Sequence, residues 1–267
     1  MDDGLARLFN RRDGKASLGT RYLGRKVLVY DWVTSTNDLA HWLAKNDEPE
    51  GTVVFARGQT QGRGRLGKDW ASPYNQGLYF SLILRPGIRA EDAARITLTA
   101  SWGIAEALRD LHVSGVSIKW PNDILVNDKK ICGILTEMHL EGDQIGYVVV
   151  GVGLNVLAAI EDLPAGSTSL KHETKGSFDL ADLSHIMLKK MDGAYETLLK
   201  HRFNDILMGV KEYSGLILGG RVRVTWEGNE VQGYAVDFDE HGRLIIRRDN
   251  GLLEKVASGH LELMNKA

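Results

Sequence analysis

The sequence predicts an α/β fold: a large domain that alternates strands with helices, followed by a small C-terminal all-β barrel. Three observations carry this. Apolar, β-branched runs of strand length, such as residues 52–56 and 145–152, are interleaved with longer helical patterns. Near Gly215 the pattern changes to short strands separated by turns such as Glu227-Gly228-Asn229 and Asn250-Gly251. The chain has 267 residues and 43% hydrophobic content, ample for a sizeable core. On this reading residues 1–25 form an N-terminal extension, 26–214 the large domain and 215–267 the barrel.

The extension is polar and rich in Gly and Arg, with a short helix expected over 5–10. Residues 27–30 read as a buried strand. Ser35 and Asp38 have capping-box spacing, so a helix should start here and run to about Lys45, with Leu39, Trp42 and Leu43 beyond the cap. Strands are expected over 52–56 and 78–84, separated by a Gly- and charge-rich loop over 59–75. Ala94, Leu98, Ala105 and Leu108 place a helix over 91–111. Strands follow over 116–120, 124–126, 131–138 and 145–152. Residues 157–178 read as a long mobile loop of the kind that carries function. One helix is expected over 180–211, then strands over 221–226, 230–238, 243–247 and 253–256.

Composition excludes several classes of function. Net charge is −2, so no global basic field draws in nucleic acid or anionic lipid. The single cysteine, Cys132, rules out a disulfide within the chain and a cysteine-based zinc site. It sits in the apolar run 131–134 and reads as a small buried hydrophobe. The acidic start Met1-Asp2-Asp3-Gly4 does not read as a signal peptide, so none is expected, and no apolar run approaches the ~18 residues of a membrane span. A cytoplasmic location without membrane partners is the expectation.

Three segments carry chemistry. Residues 62–70 read GRGRLGKDW. Gly62, Gly64 and Gly67 match a dinucleotide fingerprint, and Gly62 to Lys68 nearly matches a phosphate loop. Both motifs require a helix directly after the glycines, and Pro73, Asn75 and Gly77 break one. What remains is a loop whose glycines allow close backbone approach. Arg63 and Arg65 offer forks for phosphate or carboxylate, and Trp70 offers a flat face for a base. In the second segment, Lys119-Trp120-Pro121-Asn122-Asp123, proline ends a strand and leaves Lys119 at its terminus, where ligand sites gather. Trp120 is assigned to the core, and Asn122 and Asp123 to the turn. The third, Gly151-Val152-Gly153-Leu154-Asn155, alternates glycine with apolar residues, which lets a ring or backbone come close. Asn155 could bond a base edge.

Together these segments resemble the biotin–protein ligase family. The family pattern is matched by Ser35-Thr36-Asn37, Gln59 with the 62–70 loop, the KWPND segment at 119–123, Lys130 with Gly133-Ile134-Leu135 and Glu137, and the glycine-alternating segment ending at Asn155. The resemblance implies an α/β (α+β) catalytic domain with a mixed sheet, and an SH3-like C-terminal barrel. It implies ATP-dependent attachment of biotin to a carrier-protein lysine through biotinyl-5′-AMP, with Mg²⁺. Ser35, Thr36, Asn37 and Gln59 should lie near biotin, with Arg63, Gly64 and Arg65 closing over biotin and phosphate. Lys119 should meet the reacting phosphate, and Trp70 and Asn155 the adenine. The implied partner is a biotin carboxyl-carrier protein, an acetyl-CoA carboxylase subunit or similar. The magnesium ligands stay open, as does the oligomeric state, a homodimer included. Leu66 and Lys68 stand where many relatives have Arg. Only about 25 residues precede the first strand, so neither the helix-turn-helix of repressor-type members nor a repressor function is expected. Rival readings are a lipoate or octanoate transferase, a nucleic-acid-binding regulator, and a biotin-binding module without turnover.

Overall fold

The structure, a computed structural model, describes residues 19–264; the helix expected over 5–10 lies outside them. Seven strands form one sheet: β1 (Lys26–Val33), β2 (Thr52–Gln59), β3 (Gly77–Leu84), β4 (Val116–Lys119), β5 (Asp123–Val126), β6 (Lys129–Glu141) and β7 (Gln144–Asn155). Their spatial order is β1-β2-β3-β7-β6-β5-β4. Only β1 and β2 run parallel. A parallel pair needs a crossover, and helix α1 (Thr36–Lys45) supplies it. The expected mixed sheet is therefore present.

Both faces of the sheet are covered, which explains why its central strands read as continuous apolar runs rather than alternating ones. Val148, Val150 and Val152 of β7 point into the main core beneath α2 (Ala93–Asp110) and α4 (Leu180–Leu199). Tyr147 and Val149 point the other way, into a smaller cluster with Ala40 and Ala44 of α1. Each fully buried Val or Ile contributes ~1.5–3 kcal/mol relative to exposure. Continuing the α1-facing set by twos gives Gly151 and Gly153, so the face changes from packed side chains to bare backbone at the N-terminal end of α1.

The C-terminal strands β8 (Arg221–Trp226), β9 (Asn229–Phe238), β10 (Leu244–Arg247), β11 (Leu253–Val256) and β12 (His260–Leu263) form a five-stranded antiparallel sheet ordered β11-β10-β9-β8-β12. No strand was expected at β12, although His260-Leu261-Glu262-Leu263 alternates polar and apolar residues. This sheet shares one continuous apolar core with the larger domain. Polar contacts pin the junction: His241 Nδ1 lies 2.8 Å from Asp92 Oδ1, and Lys211 Nζ lies 2.7 Å from Asp237 Oδ1.

Three expectations are corrected. The strand expected to be buried over 27–30 lies at the sheet edge, and all of β1 is half-buried or exposed. The helix over 180–211 is two helices, α4 and α5 (Phe203–Glu212), broken where His201 adopts φ +57°. The apolar period alone cannot register a single left-handed residue. Residues 157–178 are not a free loop. They contain a 3-10 turn (Ile160–Asp162) and a short helix α3 (Leu170–Thr174), and Thr168, Ser169 and Leu170 are fully buried. Trp120 and Cys132 are buried, as expected. Among the described residues no helix is long and apolar enough to cross a membrane.

Candidate functional site: a glycine-floored cleft at the start of α1

Sheet register builds the floor. Gly151 of β7 pairs with Leu135 of β6 and with Ser81 of β3, while Gly153 pairs with Gly133 and Tyr79. These residues face α1. A Cβ on Gly151 would collide with the Asn37 amide, one on Gly153 with the Trp70 indole, and one on Gly133 would stand 2.8 Å from the Trp70 ring. The alternating glycines thus seat an amide and then a ring, and the ring that the sequence left unnamed is Trp70.

Above this floor the first turn of α1 forms a polar wall. Ser35 is the N-cap, its Oγ accepting from the Asp38 N–H at 3.5 Å. Thr36 donates its backbone N–H to Gln59 Oε1 at 2.8 Å, and Gln59 Nε2 donates to Ser72 Oγ at 2.8 Å. Ser81 Oγ lies 2.8 Å from Thr36 Oγ1 and 2.6 Å from Asn37 Oδ1. Ser35, Thr36 and Asn37 are nearly inaccessible. Buried polar groups this well partnered are held in fixed orientations.

The loop 62–70 closes the cleft. It folds on itself through a bridge between Arg63 and Asp69, with Trp70 N–H donating to Gly62 O at 2.8 Å. Arg63 grips Glu137 with both terminal nitrogens, at 3.0 and 2.9 Å, and lies 2.6 Å from Asp38 Oδ1. Burial alone would raise the Glu137 pKa. Hydrogen bonds from His41, Asn37 and Arg63 outweigh it and bring the carboxyl down to about 2. Arg65 donates to Asn122 Oδ1 and to Ser258 Oγ, both at 2.6 Å. Burial pulls the Arg65 pKa below its ordinary value, with Asp123 acting against that shift, and a guanidinium so placed keeps its charge.

The cleft has two halves that share Gly64, Arg65, Trp70, Asn122 and Lys130. The first half is lined by Ser35, Thr36, Asn37, Gln59 and Arg63. The second adds Lys68, Lys119, Asp123 and His260. Every expected site residue except Lys119 and Asn155 therefore lines the first half, and Lys119 lines the second. Asn155 lines neither half; its amide donates to Thr168 O at 3.0 Å and pins the segment before α3. Lys130 Nζ lies 2.7 Å from Asp123 Oδ1 and 5.4 Å from the centre of a Trp70 ring, a cation–π contact. Lys130 and Glu137 appeared in the sequence pattern without a role. Counting by twos from Gly133 reaches Glu137 on the cleft face, but only the sheet register shows what lies there.

Comparison with known proteins gives consistent matches. Residues 29–155 match the Biotin/lipoate A/B protein ligase family, and residues 217–264 match the Biotin protein ligase C terminal domain. The chain is 34% identical over 250 residues to the bifunctional ligase/repressor BirA of Bacillus subtilis (strain 168), covering 92% of this chain and 76% of that protein. It is 31% identical over 232 residues to the biotin--[acetyl-CoA-carboxylase] ligase of Mycobacterium tuberculosis, covering 83% of each. The fold is similar to that of the biotin protein ligase from Aquifex aeolicus in complex with biotin and ATP. There the TM-score is 0.75 at 28% identity, over 90% of this chain and 99% of that one.

Proposed function

The chain belongs to the biotin protein ligase family, and from that premise we propose that it joins biotin to a carrier-protein lysine at the expense of ATP, through biotinyl-5′-AMP. The observation that carries this reading is the two-part cleft. A polar half at the start of α1 adjoins a half lined by Arg65, Lys68, Lys119 and Lys130 together with Asp69, Asp123 and Asp128, and Arg65, Trp70 and Lys130 border both. That layout suits an acyl group on one side and a nucleotide on the other, with the reacting carboxylate and phosphate meeting between them.

In the first step the biotin carboxylate attacks the α-phosphorus of ATP, an acyl–phosphate bond forms, and pyrophosphate leaves. Two anions must approach. At 4 Å and an effective dielectric of 20, one unit-charge pair opposes this by about 4 kcal/mol. Fixed cations that cost no reorganisation lower that barrier. Arg65, Lys130 and Lys119 are the groups for this work. Lys130 is better placed than Lys119 to reach the junction, because it borders both halves. Among the described residues no group of three His, Cys, Asp or Glu side chains is placed to hold a metal ion. Mg²⁺ enters this proposal as the counter-ion of substrate ATP, held chiefly by its phosphates.

In the second step the carrier lysine attacks the acyl carbon and AMP leaves. Neutralising a free lysine at pH 7 costs roughly 4–5 kcal/mol. Mixed anhydrides hydrolyse, so the intermediate must be shielded; the 62–70 loop over the cleft serves that end. The proposed acceptor is a biotin carboxyl-carrier protein of the acetyl-CoA carboxylase type, and the proposed site of action is the cytoplasm. Repression is part of the name of the Bacillus relative and is not part of this proposal.

The test is incubation with biotin, ATP, Mg²⁺ and a biotin-carrier domain, read by intact mass. The expected result is one biotinyl group per carrier, dependent on ATP, with none when lipoate replaces biotin. Lipoyl transfer without biotinyl transfer would sink the proposal.

A further inference from the structure

The functional reading leaves one central carboxylate without work. Glu137, on β6, accepts from both terminal nitrogens of Arg63 at 3.0 and 2.9 Å, and its Oε2 also accepts from Asn37 Nδ2 at 2.7 Å. The paired, charge-assisted geometry fixes the guanidinium in direction as well as distance. Asn37 is fixed in turn. Its Oδ1 accepts from Ser81 Oγ at 2.6 Å, and flipping the amide would turn that oxygen against the Glu137 carboxylate. The absent side chain of Gly151 is what makes room for it there.

Arg63 also meets Asp38 at 2.6 Å. Two carboxylates compete with any phosphate for the Arg63 guanidinium. Arg65, by contrast, is held by a neutral amide and a neutral hydroxyl. The two arginines of the loop thus have different work: Arg65 presents charge to the cleft, and Arg63 fastens the loop down.

We propose that Glu137 is the positioning residue of the acyl site, a single carboxylate that orients the Asn37 amide on the pocket wall and fastens the covering loop to that wall through Arg63. The identity of the acyl substrate rests on the ligase reading; the fastening itself does not.

Glu137→Gln keeps the size but cannot accept from two guanidinium donors and an amide at once. The expected result is a rise in the KM for biotin of about tenfold, with kcat at saturating biotin changing less than about threefold. Amide hydrogen exchange of residues 62–70 in the ligand-free protein should speed up by about tenfold as well. Glu137→Asp, which keeps the charge, should recover part of both effects. An unchanged KM for biotin together with unchanged loop exchange overturns the proposal. So does a fall in kcat and thermal stability at constant KM, the mark of a merely structural residue. If the unaltered protein transfers no biotin, the ligase reading fails by itself, and the exchange comparison still decides the role of Glu137.

Discussion

The indole of Trp70 occupies the space that a Cβ on Gly153 would need. Its N–H is buried without a hydrogen-bond partner among the described residues, a cost that offsets part of the packing gain. The ring is therefore seated by shape rather than by a polar anchor.

Gly153→Ala should consequently displace the ring without harming the fold. The nearest atoms to the added methyl all belong to one side chain, and alanine is favoured over glycine in a strand by about 0.5–1 kcal/mol. Thermal stability should hold or rise while the KM for ATP in pyrophosphate exchange rises about tenfold, as expected for a lost base-stacking contact of ~1–3 kcal/mol. An unaltered KM would show that Trp70 does not serve the nucleotide.

The two lysines can be ranked. Lys130 borders both halves of the cleft and Lys119 only the second. Lys130→Ala should lower ATP–pyrophosphate exchange by about 100-fold, typical of removing one fixed group that meets developing charge. Lys119→Ala should cost less. The reverse order would return the principal phosphate contact to Lys119, where the sequence pattern put it.

Arg65→Gly should loosen retention of the intermediate, since it removes bonds to both Asn122 and Ser258. Biotinylation of bystander proteins added to the reaction should increase. Ser258→Ala removes one of the two anchors and should give a smaller increase in the same assay. Tight retention in Arg65→Gly would count against the loop as a shield.

Glu137 sets an acid limit. Its folded-state pKa of about 2 lies below the ordinary 4.5, so the folded state favours the ionised form. That contribution is fully present above the ordinary value and is lost as pH falls from about 4.5 toward about 2. Urea titrations across this window should show a steeper loss of stability in the unaltered protein than in Glu137→Gln. Parallel slopes would mean that the carboxylate is not held as described.

Much of this was legible in the order of residues. The capping pair Ser35 and Asp38 fixed where α1 starts, and the start holds at Thr36. The period-two placement of Gly151 and Gly153 announced a close approach, and both glycines face one. Glycine spacing also invited two nucleotide motifs at residues 62–70, and the breakers after Trp70 excluded them; the observed loop folds back on itself instead. These features are local, set by backbone freedom, strand period and capping, so sequence alone can determine them.

What only the tertiary structure decided is which partner each group meets. Arg65 finds its anchors 57 and 193 residues away, Arg63 meets two carboxylates, and the amide of Asn155 donates to the segment before α3. Lys130 and Glu137 gained their importance in the same way, because neighbouring strands of the sheet carry them to the cleft face. Side-chain chemistry is a property of a residue, but charge balance and hydrogen-bond satisfaction are properties of a neighbourhood, and the neighbourhood is made by long-range pairing that no local pattern encodes.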